Sequence, residues 1–166
     1  ELKRLFGVDL DISERTAPAI WEAANAALAG LDTWALLEQG RVEVACTTDD
    51  PADTLDMHAA IASSALKTHV LPAFRPDAAM RINAPGFVAY LDRLAAASGV
   101  AITDFAALIA ALEDRVAFFH ARGGRVADHA IDIALPAGAV TDATLGALFA
   151  KRLGGASLTA GEEGVY

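Results

Sequence analysis

Three short apolar runs, each bounded by turn or polar residues and set apart by helix-length segments, constrain this chain more than any other feature. They are "RVEVACT" (41–47), "HVLPAF" (69–74) and "RVADHAI" (125–131). The first is compact and β-branched, the form of a strand buried on both faces, as in parallel sheets covered by crossover helices. The second reads the same way, but Pro72 lies inside it. Proline supplies no ladder donor, so an edge or a bulge is expected there. The third is more polar. Strand, helix, strand, helices, strand, helix is the grammar of parallel βα units and predicts a helix-rich α/β chain.

The helices follow from caps and spacing. Asp11 with Glu14 reads as a capping box, and Pro18, Ile20, Trp21, Ala24 and Leu28 follow at helical intervals, predicting a helix over 16–29. A shorter one over 33–39 stops at Gly40. Asp50 before Pro51 has the form of an N-cap and first helical residue, opening a helix over 51–66 with Leu55, Ile61 and Leu66 inward. Asn83 is expected to cap a helix over 85–97. A long helix after Thr103 carries Phe105, Leu108, Ile109, Leu112, Val116 and Phe119. The last helix is expected over 142–153, and "GGASLTAGEEGVY" trails off without a cap.

Composition narrows the function. At 166 residues the chain can bury a proper core, and its formal charge of -9 argues against nucleic acid or an anionic membrane surface as partner. No run approaches the roughly 20 apolar residues of a membrane helix, and residues 1–30 lack a basic start followed by an apolar block. A cytoplasmic protein is expected. The single cysteine, Cys46, lies in an apolar run and reads as buried filler. Because the first residue is Glu1 and the first segment reads at once as helix, a piece of a longer protein is expected.

In parallel α/β architectures the site lies at the carboxyl ends of the strands, and the polar residues of this chain cluster there. Thr47, Thr48, Asp49 and Asp50 follow the first strand; Arg75 and Asp77 follow the second; Asp128, His129 and Asp132 lie in or after the third. Asp50 has a ready role as a helix cap, whereas Asp49 has none. Arg75, directly after an apolar strand, can meet a carboxylate or phosphate with a planar fork, or pair with Asp77 or Asp49. His58, His69, His120 and His129 show no metal-ligand spacing. His129, beside Asp128 at a strand end, is the functional candidate of the four, and His120 reads as structural. No GxGxxG, P-loop or nucleophile elbow is present.

Taken together, "LFGVDLDISERTAPAIWEAAN", "VEVACTTDDPADTLDMH", "HVLPAFRPD" and "GGRVADHAID" resemble uronate isomerases in order and spacing over most of the chain. That family is similar to the amidohydrolase barrels and has a (β/α)8 fold with a helical insertion. The resemblance implies an aldose–ketose isomerase acting on D-glucuronate/D-fructuronate and D-galacturonate/D-tagaturonate. It also implies residues 1–40 as part of the insertion and 41–166 as an incomplete barrel segment of about three parallel strands. Substrate contact is implied for Arg75, Asp49 and His129, with Asp50, His58, Asp77 and Asp128 lining the site. "DHAID" departs from the family pattern, in which a glycine is expected after the histidine.

The family's metal-binding HxH and its catalytic aspartate, arginine and tryptophan have no matching positions in this sequence. No metal is therefore expected on this segment, although a divalent ion such as zinc is implied for the full-length enzyme. The segment alone is expected to be inactive and to self-associate through exposed strand edges or helices. A competing reading is a non-enzymatic helical interaction or oligomerisation domain whose strand-like runs are incidental. A phosphate-binding β/α enzyme is the weaker third, for want of a glycine-rich loop.

Overall fold

The computed structural model describes residues 1–130 and 140–166; Ile131, at the end of the third apolar run, and Asp132 lie outside the described residues. The described elements are α1 (Leu2–Phe6), α2 (Ala17–Leu28), α3 (Thr33–Gln39), β1 (Val44–Cys46), α4 (Asp56–Ala62), β2 (His69–Leu71) and β3 (Ala73–Phe74). After these come α5 (Asp77–Met80), α6 (Phe87–Ser98), α7 (Phe105–Ala121), β4 (Val126–Ala127), α8 (Asp142–Leu153) and α9 (Ala160–Glu163). All three apolar runs contain strand, which removes the premise of an incidental-strand, purely helical domain. No helix among the described residues is long and apolar enough to cross a membrane.

The chain forms two compact units, Glu1–Ala45 with Ala59–Val70 and Cys46–His58 with Leu71–Tyr166. In the first, Asp32 caps α3 by accepting from Ala35 N at 2.8 Å. Gln39 reaches back to Leu5 O (2.9 Å), and buried Thr68 donates to Val42 O (2.7 Å). The Asp11–Glu14 capping box does not form. Thr16 occupies the N-cap of α2, and its hydroxyl donates to the Asp11 carbonyl, so the turn closes on backbone instead. Ile20 is the buried residue of α2; Trp21 is 73% exposed.

The second unit carries the parallel pairing. Thr47 N donates to Leu71 O, Asp49 N to Ala73 O and Arg75 N back to Asp49 O, while β3 pairs in parallel with β4 in the register Ala73 with Val126 and Phe74 with Ala127. Alternate residues of a strand bond to opposite neighbours. Residues 71, 73 and 75 face residues 47–49, so the donor missing at Pro72 falls on the β4 side, and the β3–β4 ladder begins one residue later. The expected irregularity is thus a division of the run into β2 and β3. Cys46 is exposed rather than buried, and β1 alternates exposed, half-buried, exposed, so only one of its faces meets described residues.

Helices α5 to α8 pack around Ile82, Phe87, Leu91, Leu94, Leu108, Ala111 and Phe149, with Phe87 and Phe149 edge to face at 6.1 Å. A smaller cluster joins Leu55, Phe74 and Phe119, the two rings 5.2 Å apart. On α7 the buried stripe is Leu108, Ala111, Arg115 and Phe119; Ile109 and Val116 lie outside it. Two caps differ from expectation. Asn83 does not start α6, whose N-cap is Gly86 at φ 86°; instead it binds Leu158 through both its carbonyl and its amide. The C-terminal segment ends in a capped helix, Thr159 and Glu162 forming a capping box on α9.

Candidate functional site

The carboxyl ends of the paired strands open onto a cleft of about 610 Å³ within the second unit. Its polar lining is Thr48, Asp49, Asp50, Arg75, Asp77 and, from the helical side, Arg81, Tyr90 and Arg93. A volume of this size lies in the range that holds a small organic ligand.

Each strand-end group is held by a neighbour. Arg75 Nε donates to Asp128 Oδ1 at 2.9 Å, and Nη2 donates to the other carboxylate oxygen, a two-point fork between the ends of β3 and β4. The expected partners Asp77 and Asp49 are not the ones used, because the parallel register sets Asp128 beside Arg75, with Asp128 N donating to Phe74 O. The pair lowers the Asp128 carboxyl below its usual range and raises the guanidinium, in each case chiefly through the shared hydrogen bond. The fork uses the Nε–Nη2 edge. Among the described residues no hydrogen bond occupies Nη1, which leaves a second edge for an anion.

Asp77, at the first turn of α5, accepts from Ala130 N (2.9 Å) and from His129 Nδ1 (3.2 Å). His129 therefore reaches the cleft through Asp77 and is not itself part of the lining. Asp49 is held from its own strand: Oδ2 accepts from Thr47 Oγ1 at 2.6 Å, and Thr47 Oγ1 lies 2.7 Å from His58 Nε2. With the threonine proton committed to Asp49, His58 donates to Thr47. His58 thus braces the Asp49 carboxylate, 3.7 Å away.

Asp50 does not cap a helix. Its Oδ1 accepts from Ala52 N at 2.9 Å and its backbone N–H donates to Asp53, making a local turn; α4 begins only at Asp56. The interruption is Leu55, held at φ 59° and buried against Phe74 and Phe119, a left-handed conformation that no regular helix contains. Burial raises the Asp50 carboxyl above the usual range, and the nearby Asp53 charge pushes the same way. Tyr90 was not singled out in the sequence. It stands on the α6 face shared with Phe87, Leu91 and Leu94, and a phenol at such a position needs a polar partner, which is the signal that could have found it.

Three comparisons bear on this geometry. A family model described as glucuronate isomerase matches residues 1–166. The chain belongs to that family. The uronate isomerase of Bacillus licheniformis is 41% identical over 165 residues, covering 98% of this chain and 35% of that protein. The Bacteroides thetaiotaomicron uronate isomerase is 43% identical over 162 residues, covering 96% and 34%. Among solved structures, uronate isomerase from Thermotoga maritima superposes with a TM-score of 0.83 at 30% identity, covering 99% of this chain and 36% of that one. Glucuronate isomerase from Caulobacter crescentus gives 0.81 at 25%, covering 99% and 34%. The chain spans about a third of the length of the curated relatives it matches.

Family members are isomerases by name, so an implied metal can be weighed against the donors present. Asp49 and His58 form one pair and Asp77 and His129 another. Among the described residues no group of three or more His, Cys, Asp or Glu side chains could hold a metal ion. The implied divalent ion therefore does not fit the described donor set.

Proposed function

We propose that this chain carries the sugar-acid end of an isomerase site, and that the protein containing it interconverts D-glucuronate with D-fructuronate and D-galacturonate with D-tagaturonate. The observation that supports this reading is the Arg75–Asp128 fork at the strand ends, with a guanidinium edge left for a second carboxylate beside the cleft. A carboxylate is what distinguishes a uronate from a neutral sugar, and a prealigned arginine recognises it by charge and by planar geometry.

In aldose–ketose isomerisation a base removes the proton on the carbon next to the carbonyl, the enediol forms, and a proton returns to the former carbonyl carbon. One carbon is oxidised and its neighbour reduced, so no outside oxidant is needed. The part assigned to this chain is orientation. Arg75 fixes one end of the substrate, Asp49 meets its hydroxyls, and His129 holds Asp77, with His58, Asp50 and Asp128 supporting the lining. No metal step falls to these residues, and the proton-transfer aspartate has no match among them. The 166-residue chain alone is accordingly proposed to be inactive and to self-associate. In architectural terms, residues 41–166 are proposed as a segment of a (β/α)8 barrel and 1–40 as part of a helical insertion.

The test is Arg75→Met in the full-length parent. A KM for glucuronate raised about a hundredfold is expected from losing a charged, two-point contact, with partial recovery in Arg75→Lys. An unchanged KM would overturn the assignment.

A further inference from the structure

The cleft contains a polar group that no described residue fully satisfies. Tyr90 is 3% exposed and lines the cleft, yet its hydroxyl makes no fully formed hydrogen bond with any described residue. A buried hydroxyl without a partner is unfavourable, and native proteins keep few of them. The Asp50 carboxylate faces the phenol closely enough to draw on it as a hydrogen-bond acceptor, though short of a fully formed bond, and both groups lose solvation by burial. One Asp50 oxygen is occupied by Ala52 N; among the described residues the carboxylate has otherwise only the incomplete interaction with the phenol and the backbone turn it closes. Arg93 lies over the Tyr90 ring at 5.5 Å and partly offsets the carboxylate charge.

A donor and an anionic acceptor that meet only incompletely select their ligand chemically. A second carboxylate would accept from Tyr90 but be repelled by Asp50. An ammonium would satisfy Asp50 but accept nothing from Tyr90. An alcohol does both at once, accepting from the phenol and donating to the carboxylate. Resting on the isomerase reading above, we infer that Tyr90 and Asp50 form a hydroxyl-reading subsite, specificity-determining for the polyol part of the sugar acid whose carboxylate Arg75 holds. Arg75, Asp77, Asp50 and Tyr90 all line this one cleft, so one ligand can address both groups.

The experiment compares two competing ligands in the full-length parent: glucuronate as substrate, and butyrate, a carboxylate with no hydroxyl, as inhibitor. Tyr90→Phe and, separately, Asp50→Asn are expected to lower kcat/KM for glucuronate about tenfold or more, the effect of one hydrogen bond, while leaving the butyrate inhibition constant unchanged. Equal weakening of both ligands, or no effect on either, overturns the subsite. Arg75→Met separates the two readings, because it should weaken both ligands. If it weakens neither while Tyr90→Phe still discriminates, the carboxylate assignment fails and the hydroxyl subsite stands.

Discussion

Arg115 offers the sharpest test of how the site is held. It sits in the buried stripe of α7 at 3% exposure and, among the described residues, pairs with no carboxylate. Its Nε donates to Pro51 O at 2.7 Å, Nη1 to Ala97 O at 2.9 Å and Nη2 to Asp53 O at 2.9 Å, and the guanidinium lies 3.6 Å from the Phe118 ring centroid. One cation thus ties α7 to the end of α6 and to both sides of the turn that carries Asp50. Charged hydrogen bonds are worth about 1.5–3 kcal/mol each, so three amount to roughly 4–9 kcal/mol before desolvation of the cation is counted. Burial opposes the charge here, lowering the pKa of the guanidinium, and removes part of that sum. Arg115→Met keeps volume but strands three carbonyls, one buried and two partly buried, and a net loss of about 3–5 kcal/mol is expected. At ~2–4 °C per kcal/mol for a chain of this size, the melting temperature should fall by about 10 °C. Hydrogen exchange should accelerate first at Ala52 and Asp53, whose amides close the Asp50 turn. Arg115→Lys should recover little, since a point charge cannot span three carbonyls. A melting temperature within 2 °C of wild type, or exchange unchanged at Ala52, would refute the clamp.

Two further outcomes follow from local geometry. A Cβ at Gly124 would stand 3.0 Å from Phe119 O and 3.1 Å from Pro72 O, both backbone atoms, so Gly124→Ala should cost about 1–3 kcal/mol, measured by urea denaturation. At the C-terminus, Lys151 and the Thr159 cap hold the Glu162 carboxyl down to about 2. A depressed carboxyl stabilises the fold above its unfolded value near 4.5 and loses that contribution as pH falls toward 2. The α9 amides should accordingly lose exchange protection across that window, and less steeply in Lys151→Met. Protection independent of pH between 5 and 2 would sink this assignment.

What could be read from the sequence was what local chemistry dictates. Helix α3 begins and ends where Asp32 and Gly40 require, and α8 starts at Thr141, because a cap is a property of a few adjacent residues. The strand-end cluster was legible for a similar reason: chain order puts Asp49, Arg75 and Asp128 after their strands whatever the packing. Partners were not. Arg75 selects Asp128 through a parallel register formed across more than 50 residues, and Asp50 lost its helix because Leu55 is drawn at positive φ into the Phe74–Phe119 cluster. Arg115 was invisible because its acceptors are backbone carbonyls, which any sequence supplies. In each failure a tertiary contact overrode a local preference.

The strand-end pairs and the Tyr90–Asp50 pair differ in how fully the fold itself meets their polar groups. Thr47 with Asp49, Arg75 with Asp128, and Asp77 with His129 and Ala130 are mutually satisfied, so removing one member should destabilise the fold. Tyr90 has the opposite sign. Its hydroxyl is buried without a fully formed hydrogen bond among the described residues, and an unmet group of this kind costs about 1–3 kcal/mol. Tyr90→Phe removes that oxygen while keeping the ring in the cluster of Phe87, Leu91 and Leu94, so the melting temperature should rise by about 2–12 °C as turnover of glucuronate falls. Stability gained together with activity lost is the mark of a group retained for a ligand rather than for the fold. A fall in melting temperature would instead mean that the phenol is bonded to Asp50 in solution, and the hydroxyl subsite would lose its vacancy.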